Sequence, residues 1–366
     1  MHRSTFGIDI GHHLVKLVEL RYDPRRGRTL STGTCVEIPR DNVAGRQPLV
    51  RTLKRIFPRR MRRTAQSALG VYGGPNVILK RIDLRSVSEG DFISAAEAES
   101  EQYLPLDEQD YIRGFTTTNP VVNAKSNGSE LAFVGIRRSM CEFYDEVLMS
   151  SHKNPVELEA AGLALAATYQ RASQRFDDRL IAILDIGESL TKITLLRNGH
   201  FYFYDEMEVG CRLVVSALRN KLSIALWPAV SLLAGSEAVG LTSDYAVNSV
   251  QSEIEAFVGQ IRDLVWRARL HSQTWHFDRV FVCGGAAALP CIVDAMTPLF
   301  RFGVTVLDPF RGLAHQFRSL SKNMPAPPSS IFAVAMGLAL RARFLSAKYG
   351  GESASPLPGH RRLLGH

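Results

Sequence analysis

The apolar and polar positions of this chain follow a pattern that occurs twice. Residues 6–20 read FGIDIGHHLVKLVEL and residues 182–196 read AILDIGESLTKITLL, and they align without gaps at a separation of 176. Asp9, Ile10, Gly11, Leu14, Lys16 and Leu20 recur as Asp185, Ile186, Gly187, Leu190, Lys192 and Leu196. A second echo follows at a separation of 175, where GLAL stands at 162–165 and again at 337–340. Two matches at nearly one offset mark an internal duplication. Each half opens with a DIG turn and closes on a segment of small residues.

Around each DIG turn the runs are apolar and rich in β-branched residues, which predicts strand, tight turn, strand. A third strand is expected at STGTCVEI in the first half and at HFYFYDEME in the second. Meandering strands followed by helices predict a mixed sheet with helices on its faces. Between the turns lies extra material. A strand is expected at 76–84, then a helix at 88–104 with Ser88 as N-cap, Asp91 closing a capping box and Pro105 as the stop. A strand at 131–136 and a helix at 139–150 complete the block, with Asn127-Gly128 at a loop tip. The second half predicts helices at 209–222 and 243–270, the latter with Ile254, Phe257, Ile261, Leu264 and Val265 on one face. A strand at 278–283 runs into Gly284-Gly285. The expected layout is a first-lobe core at 1–75, an inserted subdomain at 76–155 and a connecting helix at 156–178. A second lobe follows at 179–345, helical at about 210–272, and then a disordered tail at 346–366.

Composition narrows the class. At 366 residues, 45% hydrophobic and 22% charged, the chain reads as a globular protein with two lobes. No apolar run approaches the roughly 18 residues of a membrane span, and the opening lacks the apolar core of a signal peptide. A cytoplasmic protein is expected. The five cysteines are scattered without a CxxC pair, which favours core-filling thiols over a zinc site or disulfides. The net charge of +8 owes much to KRIFPRRMRR at 54–63, read as a solvated arginine-rich loop. No aromatic interleaving points to nucleic acid, while the anionic inner face of a membrane remains an alternative contact.

The turns carry the candidate chemistry. Glycine in Asp-x-Gly lets backbone N–H groups approach a phosphate, and the aspartate at the strand end is suited to hold magnesium through its waters. Asp9 and Asp185 are those aspartates, and Lys16 stands where it reaches back to a phosphate. A third component, VCGGAAALP at 282–290, leads a strand into two glycines and a small-residue helix start, a surface for a flat base and ribose. Small residues at 160–162 and 333–337 suit two helices that cross closely at a hinge. Glu188, beside the second turn, is the candidate to orient a water, with an exposed surface carboxylate as the alternative reading.

These five elements occur in the order found in the actin, Hsp70 and hexokinase superfamily. Asp9-Ile10-Gly11 with Lys16 resembles its first phosphate loop, and Asp185-Ile186-Gly187 with Thr191 its second. Gly162 and its neighbours resemble the first connecting helix, residues 283–290 the adenosine motif, and 333–340 the second connecting helix. Within the superfamily the chain resembles the PilM family of type IV pilus assembly proteins, through FGIDIG…VKLVEL, EAESEQYLPL at 97–106, ILDIGESLTKITLLRNG and VLDPF at 306–310. The resemblance spans about residues 6–345. It implies a two-lobed α/β actin-like ATPase fold, with a duplicated mixed-sheet core and a small α+β subdomain inserted in the first lobe. It also implies ATP and Mg in the interlobe cleft, met by Asp9, Gly11, His12, His13, Lys16, Asp185, Gly187, Thr191, Gly284, Gly285 and Ala286, with weak or no ATPase activity. The implied partners are the N-terminal cytoplasmic tail of a PilN-like membrane-anchored protein, seated beside the insert, and pilus motor components. Assembly into a ring at the inner face of the inner membrane is implied as well. Two departures stand out. His12-His13 replace small hydroxyl residues, and Cys291 replaces a closing glycine. They raise two alternatives, a scaffold of the same fold that has lost its nucleotide and a small-molecule kinase of the superfamily.

Overall fold

An apolar run such as LIAILDI offers water no polar face, so it is stable only where both of its sides are covered. The computed structural model describes residues 4–23, 28–39, 46–58, 66–73, 76–84, 87–88, 91–104, 110–118, 130–151, 157–173, 179–322 and 324–349. In it the run forms β9 (Leu180–Ile186), buried along its whole length. Leu180, Ala182, Leu184 and Ile186 face one helical layer, while Ile181 and Ile183 face the junction between lobes.

The duplication is visible in the topology. In the first lobe β1 (Ser4–Ile10) pairs antiparallel with β2 (Leu14–Asp23), which pairs with β3 (Arg28–Glu37). On its other side β1 pairs parallel with β4 (Gln66–Val71), followed by β8 (Glu157–Ala160). The second lobe repeats this order. There β9 lies between antiparallel β10 (Thr191–Arg197) with β11 (His200–Met207) and parallel β12 (Arg279–Cys283) with β13 (Thr305–Val306). A sixth strand, β14 (Ala314–Ser319), adds to β3 and has no counterpart in the second lobe. A separate antiparallel sheet carries β5 (Val77–Asp83), β7 (Glu130–Arg137) and β6 (Tyr111–Thr117) in that order, covered by α2 (Phe92–Glu101).

Several expectations are corrected. Strand β8 takes the start of the stretch expected as the connecting helix at 156–178, and β4, β6, β8, β13 and β14 are all additional. So is α1 (Gln47–Ile56), which buries Leu49, Val50, Leu53 and Ile56 at helical spacing and carries Lys54 and Arg55 in its last turn. The start of the basic stretch is therefore a helix end, where cations meet the negative pole, and residues 59–63 lie outside the described residues. Helix α2 starts at Phe92, later than expected. Asp91 is its N-cap, and Ser88 Oγ donates to the Asp91 carboxylate at 2.5 Å, so no capping box forms. Helix α3 (Arg138–Ser150), grouped with the insert by sequence, sends Val147 and Leu148 into the first-lobe core beside α1.

In the second lobe α5 (Arg212–Leu222) precedes α6 (Leu226–Leu233), which the sequence did not suggest. The expected helix at 243–270 is two, α7 (Ser243–Ser249) and α8 (Gln251–Ser272). The break falls at Val250, a fully buried residue, and the five expected core residues of α8 are all buried. Helix α9 (Pro290–Met296) follows the double glycine. The loop tip at Asn127-Gly128, Pro105 and residues 350–366 lie outside the described residues. Residues 346–349, expected in the tail, continue α10 (Ala333–Tyr349). All five cysteines are free thiols, four of them buried. No single helix among the described residues is long and apolar enough to cross a membrane.

Helices α4 (Ala161–Ala172) and α10 cross between the lobes. A Cβ on Gly337 would lie 1.8 Å from the Ala164 carbonyl oxygen, so the crossing requires glycine there. Thr168 Oγ1 donates to the Ala333 carbonyl at 2.7 Å and fixes the register. Gly7 of β1 plays the same part on the other side of α10, where a Cβ would meet the Ala335 carbonyl at 1.9 Å. Gly162, the GLAL counterpart of Gly337, is crowded as well, since a Cβ there would lie 2.6 Å from Tyr204 Cδ2.

Gly337→Ala is expected to force the helices apart and cost about 3 kcal/mol. Gly114→Ala, where a Cβ meets nothing within 4 Å, should change stability by less than about 0.5 kcal/mol. Urea unfolding followed by circular dichroism compares the two; equal midpoints would refute the tight crossing.

Candidate functional site

Strand register puts a lysine opposite each DIG aspartate. Asp9 faces Lys16 across β1–β2, and Asp185 faces Lys192 across β9–β10. Directly opposed side chains in an antiparallel pair are within reach of one another. Lys16 Nζ lies 2.6 Å from Asp9 Oδ2, and Lys192 Nζ lies 2.7 Å from Asp185 Oδ2. Both carboxylates are buried. Each turn closes identically, with the Gly11 N–H donating to the Leu14 carbonyl and the Gly187 N–H to the Leu190 carbonyl, both at 2.9 Å.

Tyr72, just past β4, joins the two pairs. Its hydroxyl lies 2.5 Å from the Ile10 carbonyl and 3.1 Å from Asp9 Oδ1, sharing one proton between them. Lys192 Nζ sits 4.0 Å from the centre of its ring, a cation–π contact across the lobes. Burial and then the charge of Asp9 push the Tyr72 phenol far above its ordinary pKa. Burial works against the Lys192 ammonium, but Asp185 and then Asp9 outweigh it and hold its pKa above the usual lysine value. Glu206 of β11 extends the network by accepting the Gly73 N–H at 3.0 Å and the Tyr204 hydroxyl at 2.7 Å. Burial raises its pKa.

The histidines contact both lobes. His12 Nδ1 is 3.1 Å from Glu188 Oε2 of the second turn. His13 Nε2 is 3.2 Å from Glu37 Oε1, and its ring centre is 5.9 Å from that of Trp227 in α6. Trp227 Nε1 in turn donates to Glu37 Oε1 at 3.0 Å. Both histidines therefore bridge lobes, and Glu188, the candidate to orient a water, is engaged by His12.

The third component also reaches the cleft. Gly284 has φ +84°, and a Cβ there would lie 2.5 Å from Asp185 Oδ1. Its N–H donates to the Ser330 carbonyl at 3.1 Å, which ties the loop to the start of α10. Gly285 faces open space. Two expected site residues are turned elsewhere. The Thr191 hydroxyl is buried and donates to the Val209 carbonyl at 2.7 Å, and the Ala286 side chain lies in the second-lobe core. The Cys291 thiol points at the Leu233 carbonyl, 3.6 Å away.

Asp9, Gly11, Lys16, Asp185, Gly187 and Gly284 thus meet around one cleft. Tyr72, Glu206 and Trp227 were not singled out from sequence. Only Tyr72 carries a local signal there, since it follows an apolar strand and precedes Gly73-Gly74. Chemically the cleft offers an ammonium group for a polyphosphate, two carboxylates for the water shell of Mg, and an open glycine face for a base. Among the described residues no three His, Cys, Asp or Glu side chains converge. A hydrated magnesium ion bound with substrate phosphates needs only one or two carboxylates, so the residues fit such a group.

The family described as type IV pilus assembly protein PilM matches residues 7–343. Among solved structures, a PilM–PilN type IV pilus biogenesis complex aligns with a TM-score of 0.68 at 19% identity, over 92% of this chain and 98% of that one. MreB5 of Spiroplasma citri bound to AMPPNP aligns with a TM-score of 0.51 at 14% identity, over 95% of this chain and 98% of that one. The ethanolamine utilization protein EutJ from Carboxydothermus hydrogenoformans aligns at 0.50 and 13%, over 92% and 89%. At these identities the structures share the fold, a two-lobed actin-like ATPase architecture. With the family match running over nearly the whole chain, this protein belongs to the PilM family of type IV pilus assembly proteins.

Proposed function

We propose that this protein is a scaffold of type IV pilus assembly that binds ATP with magnesium between its lobes. We further propose that it holds the N-terminal tail of a PilN-like membrane protein beside its inserted sheet. The observation that carries the nucleotide reading is the pair of matched ion pairs, Asp9–Lys16 and Asp185–Lys192, on facing turns. Lys16, at the rim, would hold phosphate. Asp9 and Asp185 would hold the magnesium waters, and Gly285 would lie along the base. ATP so bound supplies a polyanion that ties the two turns together. Glu188, held by His12, is poorly placed to activate water, in keeping with a slow or absent ATPase and a structural role.

For the partner, β6 is the outer strand of the inserted sheet, and within the described residues no strand pairs with its outer edge. Such an edge takes an extended peptide by strand addition. At Gly114 the face of β6 beside that edge is open. A membrane-anchored partner would place the protein at the inner face of the inner membrane, where motor components and ring assembly belong to the same reading.

Titration calorimetry of the full chain with ATP–magnesium should give one site per chain. Asp9→Asn and Asp185→Asn keep volume and most hydrogen bonds and should each weaken binding by on the order of tenfold, or about 1.4 kcal/mol. Unchanged affinity in both variants would overturn the cleft assignment, and no binding by the folded wild type would leave a scaffold without nucleotide.

Gly114→Trp should abolish capture of a fluorescent synthetic tail peptide, read by anisotropy, while ATP binding stays as in the wild type. Undiminished capture would exclude β6 as the docking edge.

A further inference from the structure

Among the described residues, exposed aromatic side chains gather as a ridge on one side of the second lobe. Trp266 and Leu270 lie one helical turn apart on the outer face of α8, and Leu270 is 59% exposed. The Trp275 ring, 76% exposed on the turn after α8, lies 5.8 Å from that of Trp266. His276 next to it lies 6.3 Å from Phe302, itself 60% exposed. Trp266 and Trp275 thus meet directly in water, Leu270 stands one turn along α8, and Phe302 is joined to them through His276. Contiguous exposed apolar surface on a folded chain marks a docking site.

The charges around the ridge are basic. The Arg301 guanidinium lies 5.2 Å from the centre of the Phe302 ring, and Arg262 and Arg279 are exposed close by in sequence. Lys80 of β5 acts electrostatically on His271, the neighbour of Leu270. Beyond Phe302 the surface dips into a cavity of about 670 Å³ whose lining sets Arg179, Arg279 and Arg311 against Asp278 and Asp308, a net positive recess. Against these stands Asp263, one turn before Trp266; Asp205 is neutralised by Arg267 at 2.7 Å. Tryptophan is favoured at the headgroup level of a bilayer. Each nearby lysine or arginine adds attraction to anionic lipid.

We propose that this ridge seats the protein directly on an anionic bilayer, with Trp266, Leu270, Trp275 and Phe302 entering the headgroup layer and Arg279, Arg301 and Lys80 facing lipid phosphates. A second protein surface would be matched by the apolar row alone. Arg301 against Phe302 and the net positive recess beside it favour lipid. The apolar part of this contact lies apart from β6, on α8, the turn after it and Phe302.

The test is co-sedimentation of the full chain, without partner or nucleotide, with phosphatidylcholine vesicles and with vesicles that also contain phosphatidylglycerol. Binding to the anionic vesicles alone, weakened by salt as a screened contact must be, is the expected result. A blue shift of tryptophan emission should accompany it, since two of the three tryptophans stand on the ridge. Trp266→Ser/Trp275→Ser and, separately, Arg279→Glu/Arg301→Glu should each reduce partitioning by on the order of tenfold with an unchanged melting temperature. The proposal is overturned if the wild type ignores anionic vesicles, binds neutral ones equally well, or binds as before in both variants. Self-association that is lost in the tryptophan variant, without vesicle binding, would overturn it in favour of a second copy of this chain.

Discussion

Two carboxylates buried on facing turns set the terms for everything around them. An isolated buried carboxylate is strongly disfavoured, and two near each other would drive one toward its protonated form. The chain answers with one lysine per aspartate, delivered by strand register at the same place in both halves. The pairs are not equivalent, however. The Lys192 side chain is 6% exposed, acts on both aspartates and lies over Tyr72, so it is locked into the contact between lobes. The Lys16 side chain is 17% exposed at the rim, beside Gly11. Removing a buried partner costs several kcal/mol, which leaves Lys16 as the cation better able to turn toward a ligand and Lys192 as a fixed strut.

The same asymmetry of fixed and movable parts holds at the helices. Glycines at 7 and 337 bring α10 against β1 on one side and α4 on the other, and such contact transmits displacement. Arg341 of α10, fully buried, bonds Glu159 of β8, and its Nη2 donates to Thr116 of β6 at 3.1 Å. A single helix thus touches the first sheet, the other crossing helix and the inserted sheet. A change in lobe closure would thus be transmitted by α10 to β6, the edge proposed for a partner tail.

What was legible in the sequence was what the duplication wrote twice. Asp9, Gly11 and Lys16 with their copies, and the two GLAL segments, led to the two sheets, the paired turns and the helix crossing. The insert's β5, α2, β7 and α3 were legible without a twin, through their own apolar patterning, while other elements were lost. Strand β14 reads AHQFRS and is largely exposed, so it has no apolar alternation to betray it. Helix α1 buries one stripe but ends in Lys54 and Arg55, and the cationic run masked that stripe. The break at Val250 has neither proline nor glycine, only a valine whose burial outweighs helix continuity. The histidines were legible as a departure but not as a contact. His12 meets Glu188 at a separation of 176 residues, and no local pattern encodes such a partner.

The inserted sheet is not a free arm. The Phe201 N–H of β11 donates to the Thr118 carbonyl just after β6, at 3.2 Å. The Arg81 guanidinium of β5 lies over the Tyr202 ring at 5.4 Å, and that ring in turn meets His271 at 5.9 Å near the end of α8. A rigid chain of contacts therefore runs from the insert to the helix that carries Trp266 and Leu270. Because Glu206 sits on the same strand β11 and holds Gly73 of the first lobe, the insert, the cleft and the aromatic ridge share one structural member. A displacement of β11 would therefore reach the insert, the paired turns and the end of α8, the route by which the ligands proposed above would sense one another.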